Sequence, residues 1–395
     1  MTNEQVVALS EEYLLPTYGR LPIAAVRGEG PYLYDADGNR YLDFIGGIVV
    51  TSQGHCHPKV VAAIKKQAEE LIHCSNLFQI PGQALLAQKL CLASSMEKAF
   101  FCNSGAEANE AAIKLARKWG KQNKNGSYEI IVAEDSFHGR TMGALSATAQ
   151  SKYQKDFQPL VPGFKAVPYG DLEALKEAIS PETVAVMLEP LQGEGGVHPA
   201  PWGYLEAVER LALEENILLI LDEVQTGIGR TGKMFACQHY GIRPDLLTLA
   251  KALGSGVPIG AMLASKKVAA TFQPGDHAST YGGNPLVTAA ALAAFEVIED
   301  GLVERCAQVG AYFKKQLHAL QKRWSIIEDV RGLGLLLGVE LSVPAAPIVA
   351  AARERGLLIL TAGERVLRFV PPLIIEEREV DTALEILEEA FEACK

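Results

Sequence analysis

The sequence lacks any apolar run long enough to cross a membrane. None of its uninterrupted apolar stretches approaches the roughly 20 residues that a transmembrane helix needs. Residues 1 to 12 carry no basic segment that leads into an apolar stretch, as a secretory leader would. We therefore expect no membrane partner and a cytoplasmic location.

Basic residues are also too few for a nucleic-acid-binding surface. The chain has 37 Lys and Arg against 47 Asp and Glu, which gives a formal net charge of -10. Phosphate backbones are bound by clustered Lys and Arg, and an excess of acidic residues disfavours such a surface. A small molecule is the better expectation for the ligand.

Cysteine is scattered and never forms a Cys-x-x-Cys pair. An odd number of single cysteines fits neither a disulfide framework nor a zinc ribbon. His55-Cys56-His57 resembles a metal-binding cluster, but Pro58 and a helical pattern follow it, and no further ligands stand at a matching spacing. We expect no metal and a reducing compartment. The seven cysteines are Cys56, Cys74, Cys91, Cys102, Cys237, Cys306 and Cys394.

What the sequence does have is enough apolar material for a large core. The 395 residues are 48% hydrophobic, and this length predicts two or three domains. Residues 1–55 predict the N-terminal segment of a small domain, with a hairpin around the turn Asp35-Ala-Asp-Gly38. Residues 56–290 predict a large α/β domain with a mainly parallel, doubly wound sheet, and residues 291–395 a smaller α+β domain.

The large domain alternates short apolar runs with helical periodicity, so each run predicts a strand. Ligands of open α/β sheets bind beyond the carboxyl ends of the strands, where polar residues deserve inspection. The predicted strands are Ala99–Cys102, Glu129–Ala133, Val184–Leu188, Ile217–Leu221, Leu246–Ala250 and Ile259–Ala264, with Gly334–Leu341 and Val366–Val370 in the C-terminal part.

The first two strand ends suit an anion and a planar ring. Asn103-Ser-Gly-Ala106 precedes a strong helix start, where small residues and free N–H groups favour a phosphate, although a simple serine cap gives the same pattern. Phe137-His-Gly-Arg-Thr141 follows the next strand. Phe137 could stack on a ring and Arg140 could bind a carboxylate through two hydrogen bonds. Each residue alone could equally be a core aromatic or a surface charge.

Two later strands end in charged residues. Asp222 follows the apolar run Ile217–Leu221, where a carboxylate is costly unless it meets a cationic group, such as a protonated pyridine nitrogen. A structural ion pair would look the same. Lys251 ends another apolar strand, and desolvation there would lower its pKa toward the neutral amine that attacks carbonyl groups. Alternatively, Lys251 extends its ammonium group to solvent.

A dinucleotide-binding motif offers a rival interpretation. Gly227-Ile-Gly-Arg-Thr-Gly232 matches G-x-G-x-x-G, which keeps an NAD-dependent dehydrogenase open as a function of another class. However, Asp222 to Thr226 separate these glycines from the strand, and the residues that follow are a poor helix start. The match is therefore weak.

In this order, these residues resemble the class III (ornithine-type) aminotransferases over essentially the whole chain. The most specific motifs are Leu221 to Gly232, the Lys251 segment, Glu189-Pro-Leu-Gln-Gly-Glu194, Ser279-Thr-Tyr-Gly-Gly-Asn-Pro285 and Leu367-Arg-Phe-Val-Pro-Pro372. The resemblance implies a fold-type I transferase that depends on pyridoxal 5'-phosphate. It implies that Lys251 holds the cofactor covalently and that Asp222 pairs with the pyridine nitrogen.

The resemblance also assigns the other cofactor contacts. Ser104, Gly105 and Ala106 would bind the phosphate, while Phe137 and Val224 would cover the two faces of the ring. Gln225 would lie near the ring hydroxyl. Thr280 would reach the phosphate in the neighbouring subunit, which implies a homodimer.

Finally, the resemblance suggests the substrates. Phe137-His-Gly-Arg-Thr141 is most similar to the acetylornithine and succinylornithine group, and Ile48 stands where ornithine aminotransferases have a Tyr. Arg140 and Arg368 would bind the carboxylates of N-acetylornithine and 2-oxoglutarate. Glu194 would neutralise Arg368 when that site is empty, although a plain structural ion pair is the alternative. Ser279 is expected beside the substrate. Succinylornithine, ornithine and 4-aminobutyrate remain open as substrates.

Overall fold

A seven-stranded sheet forms the centre of the computed structural model, which describes residues 1–395. Gly260–Ala264 runs antiparallel to both of its neighbours. All other pairings in this sheet are parallel. The predicted α/β class with a mainly parallel sheet is therefore confirmed. From one edge to the other, the strands are Lys98–Cys102, Gly260–Ala264, Leu246–Leu249, Leu218–Asp222, Thr183–Leu188, Glu129–Ala133 and Phe164–Val167.

The central strands form because their side chains are apolar on both faces. Every residue of Thr183–Leu188 and Leu218–Asp222 is buried, as strands covered by helices on both faces require. The sequence missed Phe164–Val167, an edge strand in which only Val167 is fully buried. Because one side of an edge strand is open, its apolar pattern is weak and gives little signal.

Helices cover the sheet and build the flanking parts. The longest helices of the large domain pack against the sheet through small residues, as in Gly105–Asn123, where Ala108, Ala111 and Ala112 are buried. No helix is both long enough and apolar enough to cross a membrane. The α-helices are Asn3–Tyr13, Gly46–Val49, Pro58–Glu70, Pro81–Ser94, Gly105–Asn123, Met142–Ala147, Ser151–Gln154, Leu172–Ala178, Tyr204–Glu214, Cys237–Tyr240, Pro285–Val297, Val303–Arg323, Ala346–Glu354 and Glu377–Ala393.

The N-terminal hairpin forms where the sequence predicted it. Tyr32–Asp35 and Arg40–Asp43 pair antiparallel, and Gly38 has a φ of +90° in the connecting turn. Ala25–Glu29 extends this sheet on one side, and Leu357–Leu358 adds a parallel strand on the other. The N-terminal segment thus pairs with C-terminal residues. The domain boundaries 1–55, 56–290 and 291–395 stay a prediction.

A second antiparallel sheet lies in the C-terminal part. Its strands, in spatial order, are Ile327–Leu333, Leu336–Leu341, Val366–Phe369 and Leu360–Thr361. The second strand begins two residues later than predicted because Gly334, with a φ of +56°, belongs to the turn that precedes it. Val366–Phe369 carries Arg368 and is fully buried.

Candidate active site

A cavity of about 570 Å³ opens at the carboxyl ends of the central strands, where polar residues were predicted to matter. It brings together residues from five strand ends that are far apart in sequence. The predicted residues that line it are Ser104, Gly105, Ala106, Phe137, Arg140, Asp222, Val224, Gln225 and Lys251. The remaining predicted residues, Glu194, Ser279, Thr280 and Arg368, lie outside this lining.

The start of helix Gly105–Asn123 forms one wall of the cavity. Ser104 caps this helix, and its Oγ accepts a hydrogen bond from the Glu107 N–H at 3.2 Å. The Ala108 N–H donates to the Ser104 carbonyl. The N–H groups of Gly105 and Ala106 therefore remain for a ligand, and the helix dipole favours an anion there. This chemistry fits a phosphate.

Glycine is required at position 105 because Val224 approaches it closely. A Cβ atom at Gly105 would lie 2.7 Å from Val224 Cγ1, far inside van der Waals contact. This contact sets the Val224 side chain against the helix start, on the floor of the cavity. Val224, two residues after Asp222, and the start of helix Gly105–Asn123 therefore pack directly against each other.

Asp222 lies at the inner end of the cavity and is only 4% exposed. Its Oδ2 accepts from Asn109 Nδ2 at 2.7 Å and contacts His138 Nδ1 at 2.8 Å. Its Oδ1 accepts from the Val224 N–H at 3.0 Å. Asn109 is itself fixed, since its Oδ1 accepts from the Thr248 hydroxyl at 2.7 Å. The carboxylate is held in one orientation by neighbours from three elements.

Lys251 follows strand Leu246–Leu249 and begins the short 3-10 helix Lys251–Leu253. Its φ is +49°, a conformation uncommon for a residue with a side chain and typical of functional sites. Burial lowers the pKa of Lys251 to about 8, although the negative charge of Glu194 opposes this shift. A larger neutral fraction near neutral pH suits a nucleophilic amine.

Buried Arg368 and partly exposed Glu194 form an ion pair next to the lining residue Gln225. Arg368 Nη1 donates to Glu194 Oε1 at 2.6 Å and to the Gly193 carbonyl at 3.2 Å. Its Nε has no partner. Burial alone would raise the pKa of Glu194, but the positive charge and hydrogen bond of Arg368 outweigh it and lower that pKa. Glu194 is therefore a carboxylate counter-ion that a ligand carboxylate could replace.

Phe137 and Arg140 lie in one loop that also lines the cavity. The Phe137 N–H donates to Glu189 Oε2 at 3.1 Å, which anchors the loop to the next strand end. The Arg140 side chain is exposed, and its guanidinium carbon lies 3.9 Å from the centre of the Tyr153 ring. A cation is thus available on this side of the cavity.

Thr280 and Ser279 do not reach this cavity within one chain. Thr280 is exposed and lines a separate cleft of about 400 Å³ together with Ser279. Ser279 Oγ accepts from Asn103 Nδ2 at 3.1 Å, next to the helix cap. Ile48 is 41% exposed and lies outside the cavity lining, whereas Val50, two residues later, belongs to it.

Sequence reasoning missed several residues of the site. The polar residues around Asp222 are His138, Asn109 and, bonded to Asn109, Thr248. Their segments predict a loop, a helix and a buried strand, and nothing in those patterns indicates a contact with Asp222. Glu189 follows the buried strand Thr183–Leu188 and is 3% exposed; burial and the nearby Asp222 charge raise its pKa well above the usual range. The rule that singled out Asp222, an acidic residue directly after an apolar strand, would have found Glu189 too.

The family model "Aminotransferase class-III" matches residues 13–391. The chain belongs to the class III aminotransferases. It is 54% identical over 389 residues to the acetylornithine aminotransferase of Caldanaerobacter subterraneus subsp. tengcongensis, covering 98% of this chain and 99% of the relative. It is 52% identical to that of Methanocaldococcus jannaschii, with 100% of both chains covered.

Solved structures agree with this family. The ornithine aminotransferase of Toxoplasma gondii, in a structure with pyridoxal phosphate at partial occupancy in its active site, superposes with a TM-score of 0.96 at 36% identity. The match covers 99% of this chain and 94% of that chain. The acetylornithine aminotransferase of Elizabethkingia anophelis superposes with a TM-score of 0.88 at 35% identity, covering 99% of each.

The chain is therefore a transaminase that uses pyridoxal 5'-phosphate. The dinucleotide interpretation of Gly227 to Gly232 was wrong. These residues form turns, the next helix begins only at Cys237, and Arg230 in their midst is fully buried. A backbone so arranged offers no helix N-terminus to a pyrophosphate.

Proposed function

We propose that the protein transfers the terminal amino group of N2-acetyl-L-ornithine to 2-oxoglutarate, giving N-acetylglutamate 5-semialdehyde and glutamate, a step of arginine biosynthesis. One observation carries the proposal: Arg140, a cation without a carboxylate partner, lines the Lys251 cavity, and a second cation, Arg368, contacts the lining residue Gln225 and pairs with the exchangeable Glu194. The names of the relatives at 52% and 54% identity support the same substrate.

The lining residues fit the cofactor from end to end. Gly105 and Ala106 would bind the phosphate through their N–H groups, and Ser104 through its backbone or hydroxyl. Phe137 and Val224 would cover the ring, Gln225 would lie beside its hydroxyl, and Asp222 would hold the ring nitrogen protonated. The residues of this set are all in the cavity wall. Once bound, the cofactor supplies the aldehyde that condenses with amines and the ring that delocalises the resulting electron pair.

Lys251 would then have two roles. It would hold the cofactor covalently in the resting enzyme and, once an incoming amine has displaced it, act as the general base. In that role its amine would remove a proton from the substrate carbon that is bonded to the reacting nitrogen. It would return the proton to the carbon on the other side of that nitrogen. The lowered pKa of Lys251, about 8, keeps part of this amine neutral and ready to accept a proton.

The two arginines would let one site accept two substrates in turn. Arg140 would bind the carboxylate of N-acetylornithine, whose reacting amine is at the other end of the molecule. Arg368 would stay neutralised by Glu194 during this half of the reaction. For 2-oxoglutarate, Arg368 would bind the carboxylate next to the keto group and Arg140 the distal one, since bidentate pairing suits both.

Ornithine is the second candidate donor. The high TM-score to the Toxoplasma gondii ornithine aminotransferase favours it. Against it stand Ile48, where a tyrosine would be expected to hold a free amino group, and His138 in the Phe137 loop. Succinylornithine and 4-aminobutyrate differ from the proposed donor at only a few contacts, so activity on each should be compared directly.

We also propose that the active unit is a homodimer. The exposed Thr280 does not line the cavity of its own chain, which agrees with a role in the neighbouring phosphate site. Ser279, beside it, would approach the neighbouring substrate. A Thr280→Ala variant that keeps the dimer but releases cofactor more readily is the expected result.

The visible absorption spectrum of the purified holoenzyme tests the proposed function. The yellow band of the bound cofactor should bleach on addition of N-acetylornithine and return after 2-oxoglutarate. If the band were unchanged by N-acetylornithine but bleached by ornithine or 4-aminobutyrate, the cofactor would be correct and the amino donor would be that other amine. If no band formed after reconstitution with pyridoxal phosphate, the cofactor assignments would be wrong.

A further inference from the structure

The ring of Tyr153 contacts two cations on the Arg140 side of the cavity. The Arg140 guanidinium carbon lies 3.9 Å from the ring centre, and Lys152 Nζ lies 4.7 Å from it. Arg140 forms no ion pair with any carboxylate of the chain. Its guanidinium is therefore held against an aromatic face rather than by an acidic partner.

Tyr153 is firmly fixed even though it lies in the four-residue helix Ser151–Gln154. Before it, Gln150 Nε2 donates to the carbonyls of Asp135 and Ser136 at 3.1 and 2.9 Å. After it, Gln154 Nε2 donates to the Leu145 carbonyl at 3.1 Å. These bonds tie the helix to the backbone on both sides of the Phe137 loop.

The ring itself also packs against that loop. Its centre lies 5.9 Å from the Phe137 ring centre, at an interplanar angle of 82°. Edge-to-face contacts of this kind are favourable and orient both rings. Tyr153 thus connects the ring expected to cover the cofactor with the arginine expected to bind the substrate.

Holding an arginine by an aromatic face has a chemical consequence. A cation–π contact uses the plane of the guanidinium and leaves its N–H donors free at the edges. A carboxylate partner would occupy those donors and neutralise the charge, as Glu194 does for Arg368. Arg140 is instead oriented while its charge and its donors stay available to a ligand.

We propose that Tyr153 is a positioning residue that orients Arg140 for the substrate carboxylate, so that dicarboxylate acceptors bind without displacing an internal counter-ion on this side. The inference rests on the proposed function, in which Arg140 binds that carboxylate. Lys152 adds positive charge at the same ring. The loss of the ring should weaken binding of the distal carboxylate and leave the chemical step unchanged.

The test uses the holoenzyme and glutarate, a five-carbon dicarboxylate that lacks the reacting keto group. Its dissociation constant is measured by calorimetry for the wild type, Y153F, Y153L, Y153M, R140Q and the double variant R140Q/Y153L. The KM for 2-oxoglutarate and kcat are measured alongside. The visible cofactor band and Tm verify that each variant is folded and loaded.

A matched control lies outside the cavity. Arg27 lies over Tyr34 with its guanidinium carbon 3.8 Å from the ring centre, nearly the same distance as that of Arg140 from Tyr153, and it also pairs with Glu29. Y34L should therefore lose a comparable contact and leave glutarate binding unchanged. Any general effect of losing an aromatic side chain would appear in this variant as well.

We expect Y153L and Y153M to weaken glutarate about 3- to 10-fold, the range that one cation–π contact of this kind supports. The KM for 2-oxoglutarate should rise in parallel while kcat stays unchanged. Y153F keeps the ring face and should bind glutarate like the wild type. In the R140Q background, Y153L should have no further effect, because its action passes through Arg140.

Three outcomes would overturn the inference: wild-type binding in both ring-deleting variants, weakening in Y153F equal to that in Y153L, or an undiminished Y153L effect in the R140Q background. A different result tests the proposed function itself. If R140Q bound glutarate as tightly as the wild type, the carboxylate role of Arg140 would fail, whatever the Tyr153 variants did.

Discussion

Asp222 and Arg368 are both nearly fully buried, at 4% and 2% exposure, yet their surroundings differ. Asp222, at the inner end of the cavity, is fixed by Asn109, His138 and a backbone N–H. Arg368 and Glu194, which we call the rim, lie next to the lining residue Gln225. Arg368 is held by the partly exposed carboxylate of Glu194, and its Nε has no partner.

The difference matches the ligands that each region is proposed to meet. Fixed donors are suited to a group that stays in place through every turnover, because they need not reorganise. An internal counter-ion is suited to a ligand that comes and goes, since a substrate carboxylate can take its place. The inner end is built for a constant cofactor and the rim for alternating substrates.

Replacing Lys251, which lies between the two regions, should have the largest effect. Lys251→Ala should reduce kcat by at least about 10⁴-fold, the upper end of what general acid–base catalysis supplies, because it also removes the covalent tether. Steady-state turnover and the cofactor band after washing measure the two losses. Turnover within tenfold of wild type would contradict both roles.

At the inner end, Asp222→Asn should lower kcat by about 10²- to 10³-fold, the usual effect of removing one preorganised electrostatic group. The cofactor should still attach to Lys251, so the visible band is expected to persist. Single-turnover kinetics with N-acetylornithine measure the proton-transfer step. Near-normal turnover in this variant would contradict the assignment of Asp222.

The chain supplies a matched control for that variant in the next residue. Glu223 is 1% exposed, but its carboxylate accepts from the N–H groups of Ala236 and Cys237 rather than facing the cavity. Glu223→Gln should cost about 1–3 kcal/mol of stability through a lost acceptor. Its Tm should fall while kcat per folded enzyme stays close to wild type.

At the rim, Glu194→Gln should change substrate preference. Without its counter-ion, Arg368 would favour donors with a carboxylate next to the reacting amine. The ratio of kcat/KM for N-acetylornithine to that for glutamate should fall by about 10-fold, the low end for a charged hydrogen bond. An unchanged ratio would mean that the ion pair is only structural.

The last prediction concerns the pH dependence of cofactor binding. Because burial lowers the pKa of Lys251 to about 8, its amine is mostly protonated at pH 7 and mostly neutral at pH 9. The rate at which the apoenzyme regains its visible band should therefore rise about 10-fold over this range. A rate that rises only near pH 10 would show an unperturbed lysine.

The sequence alone predicted the central sheet and the order of the cofactor residues along the chain. Apolar runs that end in polar residues mark buried strands whose carboxyl ends meet at one edge, so Ser104, Asp222 and Lys251 were predicted to converge before any contact was known. The edge strand Phe164–Val167 was not predicted because only one of its residues is fully buried, which leaves a weak apolar pattern. Local composition carries this information because burial on both faces demands continuous apolar residues.

Only the tertiary structure decided which side chains touch. The Arg368–Glu194 pair joins residues 174 positions apart, and the Asp222–Asn109 bond joins residues 113 apart. No local pattern encodes the distance between such residues, since it depends on how strands, loops and the C-terminal sheet pack. The contact between the Tyr153 ring and Arg140 is likewise absent from any local sequence pattern. It forms only when the helix Ser151–Gln154 packs beside the Phe137 loop.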